Sequence, residues 1–267
     1  MKLSRAYAII LRYAYLLRGS ATRIVPLFAW SVIDIVLWGF ITKYLNRVAT
    51  SAIDFVPMLL GAVLFWDFFT RVMQGVTTTF FEDVWSRNFL NIFSTPMTIS
   101  EYLSGLVATT IITSTVGLAA MLLMASAAFG LSFFSYGIMF LPFILVLVLF
   151  GIAFGIFACA LVLRLGPASE WFIWPIPAIL APFAGVFYPV STLPGWMQAI
   201  SRILPASYVF EGMRDVVANR TVSLEPILLG GGISIIYILL AYWTFSAVYR
   251  YAVENGLIAR YSAESVG

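Results

Sequence analysis

The chain has 267 residues, of which 62% are hydrophobic and 10% charged, with a formal net charge of +3 and a mean hydropathy of +0.99. That apolar share lies far above a soluble domain's and reads as an all-α membrane protein. The absence of histidine and the single cysteine, Cys159, exclude Ser-His-Asp and Cys-His catalysis, histidine-ligated zinc or haem, and any internal disulfide.

Residues 1–20 interleave charge with apolar side chains, unlike a cleavable leader. At the helical period Ala6, Ile9, Ile10, Tyr13, Leu16 and Leu17 share one face, while Ser4, Arg5 and Arg12 lie on the other. This pattern predicts an interfacial amphipathic helix. A spanning helix takes about 20 apolar residues, and six such stretches follow: Ile24–Ile41, Phe55–Gly75, Glu101–Phe129, Ile138–Leu163, Trp171–Val190 and Pro226–Tyr249. The spans and short loops fill most of the chain as a single transmembrane domain, 1–267, with no room for a soluble catalytic unit. An even count puts both termini on one side. Lys2, Arg5, Arg12, Arg18, Arg23, Arg71, Arg87, Arg164, Arg250 and Arg260 fall on that side, against Lys43, Arg47, Arg202, Arg214 and Arg220 opposite. Positive residues gather on the cytoplasmic side, so both termini are expected in the cytoplasm of a cell (inner or plasma) membrane protein. The basic residues form no soluble patch, and no nucleic-acid partner is expected.

Charges inside lipid are costly and face protein or water. Asp34 falls mid-way along span one without a sequence neighbour to pair with; Asp67 and Arg71 sit one turn apart in span two and are expected to pair. After span two, the segment 80–96 places Phe81, Val84, Trp85, Phe89 and Ile92 at helical spacing, with Asp83, Arg87 and Asn91 as a polar stripe and Asp83 before Arg87 in the favourable order. A short helix along the cytoplasmic membrane surface is expected. In span four Gly151 and Gly155 suit close helix packing, as do Gly230, Gly231 and Gly232 in span six, and Cys159 is read as a small packing residue.

Span five and its sequel are broken by Pro175, Pro177, Pro182, Pro189, Pro194 and Pro205. Proline at membrane depth is tolerated where protein or water satisfies the freed carbonyl. The stretch after Ser191 is too short to cross, so a bent span followed by short re-entrant helices on the outer side is expected over 187–214. Leu193, Met197, Ile200 and Leu204 would be their apolar face, with Trp196 and Tyr208 at the interface.

The run Gly185-Val-Phe-Tyr-Pro-Val-Ser-Thr-Leu-Pro-Gly-Trp196, then Leu204-Pro205, Tyr208, Glu211 and Arg214, resembles the exofacial signature of ABC type-2 exporter permeases. The resemblance covers the whole chain, from the N-terminal amphipathic helix through six spans, with Thr95-Pro96 closing the cytoplasmic segment. It implies a dimer of this chain or of close relatives, joined to separate P-loop ATPase subunits that bind ATP and Mg. It also implies that 80–96 is the coupling helix, with Asp83, Trp85, Arg87 and Asn91 toward the ATPase, and that Phe187, Tyr188, Pro189, Pro194 and Trp196 form an outer gate. Relatives often carry an acidic residue followed by glycine and leucine in the coupling helix, where this chain has Trp85-Ser86-Arg87-Asn88. The chain itself has no GxxxxGK[ST] and is expected not to be an enzyme.

No charged groove for a polyanion marks the spans, which favours a lipid or drug-like cargo. Three alternatives stand beside it: a polysaccharide or glycolipid exporter of the same family, using the 16% aromatic content as stacking platforms; a proton-coupled secondary transporter using Asp34 and Asp67; and an intramembrane lipid-modifying enzyme, against which the missing histidine and acidic motif argue.

Overall fold

The computed structural model describes residues 2–19, 21–48, 55–86, 88–218 and 223–257. No strand occurs among them. In chain order the helices are α1 (Leu3–Arg18), α2 (Ala21–Val48), α3 (Gly61–Trp85, entered through a π-helical turn Val56–Leu60), α4 (Phe89–Phe93), α5 (Ile99–Phe129), α6 (Phe140–Leu165), α7 (Ile176–Ala184), α8 (Gly195–Ser201), α9 (Pro205–Val217) and α10 (Glu225–Glu254).

Among the described residues four segments are long and apolar enough to cross a membrane: Val56–Trp85, Ile99–Phe129, Tyr136–Leu165 and Glu225–Glu254. They coincide with expected spans two, three, four and six. Expected span one lies inside α2, a helix of 28 residues that carries Asp34 and, near its end, Lys43 and Arg47. Expected span five is not one continuous helix. A 3-10 turn over Pro167–Phe172 precedes the nine-residue α7, which starts after Pro175 and stops at Gly185 in the left-handed region (φ 62°). The proline that interrupts hydrogen bonding from inside α7 is Pro182.

α6 lies at the centre, with α3 and α10 packed against it; α5 flanks α3, and α1 lies across α5. Close approach of α3 and α6 follows from Gly151 and Gly155. A Cβ at Gly155 would stand 2.7 Å from the Val76 Cβ and 2.8 Å from the Met73 carbonyl oxygen, and one at Gly151 2.9 Å from Val72. The glycine run of α10 behaves differently. A Cβ at Gly230 would meet the Pro205 carbonyl at 3.3 Å, but one at Gly231 would meet a single atom, at 3.9 Å, and one at Gly232 nothing within 4 Å outside its own helix. Cys159 is buried in α6, its thiol 3.9 Å from the Val76 carbonyl, as its packing role required.

The start of α5 is fixed by a capping box: Thr98 Oγ1 accepts from the Glu101 amide at 3.3 Å while Glu101 Oε2 accepts from the Thr98 amide at 3.0 Å. Its end is closed by Gly130 with φ 73°.

Candidate functional site

On the expected cytoplasmic side the segment 80–96 is not a single surface helix. Phe80, Phe81 and Val84 are buried as the last turns of α3, which runs to Trp85. The chain then turns, with the Asn88 amide donating to the Asp83 carbonyl at 3.0 Å, and resumes as the five-residue α4. The apolar residues that suggested a membrane-facing stripe are core. Phe89 is buried edge-on to Phe80, and Phe93 packs on Tyr102 and Tyr249. Trp85 does remain 52% exposed and Asn91 is exposed.

Asp83 is the residue that departs furthest from the surface reading, since it is 1% exposed. Arg87, its expected partner, lies outside the described residues. Asp83 instead forms an ion pair with Arg12 of α1 and accepts a hydrogen bond from the Tyr102 hydroxyl at 2.7 Å. Arg12 also donates to Ser86 Oγ at 3.4 Å. Its partly buried position draws the Arg12 pKa below its ordinary value. A second carboxylate repeats the device: Glu101 Oε1 accepts from the Lys2 amide at 2.6 Å and Oε2 from Arg5 at 3.1 Å, while Arg5 also donates to the Pro96 carbonyl. The face of α1 carrying Arg5 and Arg12 is therefore paired to protein, and Ala6, Ile9 and Tyr13 beside it are buried. Leu3, Tyr7, Leu11 and Tyr15 are the exposed side. Amphipathicity in the sequence located α1 but could not tell which face meets protein, because both carry apolar residues. Periodicity sets Arg5 and Arg12 on a polar face without naming a partner and gives Glu101 and Tyr102 no part; the acids that receive the two arginines lie about 70–95 residues away.

Trp85 contributes a further link, its indole donating to Glu170 Oε2 at 3.3 Å. This brings the turn after α3 to the turn after α6.

The segment 187–214, expected from the resemblance to hold an outer gate, is fastened by a polar clamp. Glu211 Oε1 accepts from the Val190 amide at 2.6 Å and from Arg214 at 2.8 Å, and Arg214 donates to the Gly185 carbonyl at 2.8 Å. Charge-assisted bonds of this kind are the stronger class. Phe187 stacks on Trp38 of α2, ring centroids 4.7 Å apart and nearly parallel. Tyr188 donates to the Pro182 carbonyl at 2.9 Å, one of the last carbonyls of α7, beyond which no helical amide follows. Pro189 opens the 3-10 turn Val190–Thr192, and Pro194 caps α8. Trp196 stands apart, 64% exposed with one edge on Phe183. Phe187 and Tyr188 thus join neighbouring elements, whereas Trp196 projects outward.

The intramembrane charges gather where α2 meets α3. Arg71 donates to Ser31 at 2.8 Å, and its side chain fills the space beside Gly117 of α5, where a Cβ would meet it at 2.8 Å. Asp67 Oδ2 is buried without a hydrogen-bond partner among the described residues, and Asp34 is close enough to interact with it electrostatically.

No curated protein matches the chain. A family model described as ABC-2 type transporter matches residues 9–217, from within α1 to the end of α9, and so covers the Arg12–Asp83 pair, the α2–α3 charges and the segment 187–214 together. With most of its length and all three of these features inside that match, the chain belongs to the ABC-2 type transporter membrane family and is a multi-pass permease.

Proposed function

We propose that this permease is the membrane half of an ATP-driven exporter. Two copies pair, each crossing a cell membrane six times with both termini in the cytoplasm and α8–α9 re-entering from outside. Each copy carries a P-loop ATPase subunit, which binds ATP and Mg and docks on the surface formed by Trp85, Asn91 and their neighbours. The cargo is an apolar or amphipathic molecule such as a lipid or drug, moved outward. A polyanion is disfavoured by the two carboxylates at the α2–α3 junction.

The observation that carries this reading is the burial of Asp83 between Arg12 and Tyr102. A load applied at the exposed Trp85 and Asn91 cannot be absorbed there alone, because the end of α3 is tied through Asp83 to α1 and α5. Rigid elements with paired buried charges transmit displacement. The turn therefore hands motion to α3, α5 and α1 as a unit, and α3 passes it through the tight Gly151 and Gly155 contacts to α6. At the far end of the bundle, Phe187 on Trp38 converts a shift of α2 into a shift of the gate.

Efflux of an amphipathic dye from cells carrying the permease and its ATPase tests the reading. Replacing the P-loop lysine of the ATPase should abolish efflux while the complex still co-purifies. Transport by this chain alone under a proton gradient would overturn it in favour of secondary transport.

A further inference from the structure

The entry to α3 departs from the α register. Over the π-helical turn Val56–Leu60 the Gly61 amide donates to the Val56 carbonyl, five residues back. An α-helix would give that amide to the Pro57 carbonyl, four residues back. The Pro57 carbonyl instead accepts from the hydroxyl of Tyr136, in the 3-10 segment Phe133–Met139 that connects α5 to α6. Tyr136 thus stands in for the donor that the α register would supply. Pro57, with no amide, offers no backbone donor in either register. The surroundings fit this ring closely. A Cβ at Gly61 would overlap the Tyr136 hydroxyl and stand 2.9 Å from the ring carbon that bears it, so glycine at 61 is what admits the bond. Phe65 meets the buried ring edge-on, centroids 5.3 Å apart. Gly137, with φ 53° and ψ −143°, turns the chain directly behind Tyr136, in a region that glycine enters far more readily than other residues. A small apolar void bounded by Leu118, Leu122, Leu131 and Ile144 adjoins the ring and gives it space to withdraw.

Single π turns inside α-helices occur frequently at functional positions. Converting this one to α moves every residue before it by one helical step, about 100° of rotation and about 1.5 Å of rise. Pro57 then takes the place that Val56 holds, and Val56 that of Phe55. Both α2 and α9 pack on the turn, and the Phe55 amide donates to Asn46 Oδ1, near the end of α2, at 2.9 Å. A step at the turn therefore reaches the helix that carries Trp38 and the helix that carries Glu211 and Arg214. We infer that the Tyr136 hydroxyl is a latch between two registers of α3: while it holds the Pro57 carbonyl the entry stays π-helical, and when it withdraws the Gly61 amide takes that carbonyl and the entry becomes α-helical. The same backbone amides serve both registers, so the two differ chiefly by the one bond from Tyr136, on the order of a factor of ten in population. The latch belongs to this chain alone and goes beyond the exporter reading, since it needs neither ATPase nor cargo.

The test is the rate at which single thiols react with N-ethylmaleimide in the full-length permease, reconstituted in phosphatidylcholine nanodiscs in a Cys159→Ala background. Val56 is buried and Pro57 half-buried in the π register, and the step to α exchanges their places in opposite senses. Tyr136→Phe removes the hydroxyl and keeps the ring. In that variant Val56→Cys should react about tenfold faster, the scale of one lost hydrogen bond, while Pro57→Cys reacts more slowly. Gly61→Ala, whose methyl displaces the hydroxyl, should shift both thiols in the same directions and further. Val63→Cys, buried within α3 beyond the turn, should keep its rate in both variants. Loosening of the packing without a change of register would speed Val56→Cys and Pro57→Cys together, and that result would overturn the latch; so would unchanged rates at both positions. Tyr136→Phe removes a single oxygen atom and leaves the core volume intact, so it decides the question even where Gly61→Ala fails to fold.

Discussion

Arg12 of the first helix and Asp83 at the end of α3 form an ion pair whose acidic member is sealed from solvent and also bonded to Tyr102. This pair ties the amphipathic N-terminus to the turn at which an ATPase is proposed to dock. Asp83→Ala strands the Tyr102 hydroxyl and the Arg12 guanidinium. Orphaned buried groups cost about 1–3 kcal/mol each, so the thermal midpoint of the purified protein should fall clearly. The exchange Arg12→Asp with Asp83→Arg should recover part of that loss; a double variant no more stable than the sum of the two singles would show that the pair is not coupled.

Gly155 sets the distance between α3 and α6. Since one obstacle to a Cβ there is the Met73 backbone carbonyl, which cannot swing aside, Gly155→Ala should destabilise by about 1–3 kcal/mol. Gly232→Ala meets open space and should be neutral or stabilising by up to about 1 kcal/mol, through alanine's better helix propensity. Parallel melting curves for the two variants check both statements, and equal midpoints would remove the packing argument.

The contrast between Gly155 and Gly232 also shows what pattern alone conveys. Hydrophobic runs located the long helices because burial in lipid needs length and apolarity, both one-dimensional properties. Family resemblance singled out the segment 187–214 as a proposed gate. Which glycine touches a neighbour, and whether Asp83 faces water or Arg12, depend on long-range packing that no local spacing encodes. The surface stripe of 80–96 failed for that reason: helical periodicity continues across α3 into α4, although the intervening turn rotates one relative to the other. Proline content did foretell the break in span five, because proline acts on its own backbone.

Glu211 holds the turn of the proposed gate through the Val190 amide and through Arg214. Glu211→Ala should release the segment 185–190 without disturbing α10. In a Cys159→Ala background, Thr192→Cys should then react faster with an impermeant thiol reagent than it does with Glu211 present. An unchanged labelling rate would mean that the clamp does not restrain the gate.

From the arginine bias we propose that α1 lies in the cytoplasm and the 3-10 turn Val190–Thr192 outside. Ser4→Cys should accordingly resist the same reagent in intact cells and react after permeabilisation, while Thr192→Cys reacts in both. External labelling of Ser4→Cys would invert the topology.

The carboxylates that receive α1 lie far downstream of it: Glu101 caps α5 and accepts from Lys2 and Arg5, and Asp83 closes α3. During synthesis, at about 5–20 residues per second, the N-terminal helix leaves the ribosome roughly 5–20 s before Glu101 is made. For most of that interval its arginines lack the two acids they pair with, and its apolar residues lack the α5 face that buries them. The helix is thus a temporary resident of the lipid headgroups and becomes part of the folded bundle only when the third long helix arrives. The order of translation, together with the order of insertion, decides when the cytoplasmic end of this permease becomes rigid.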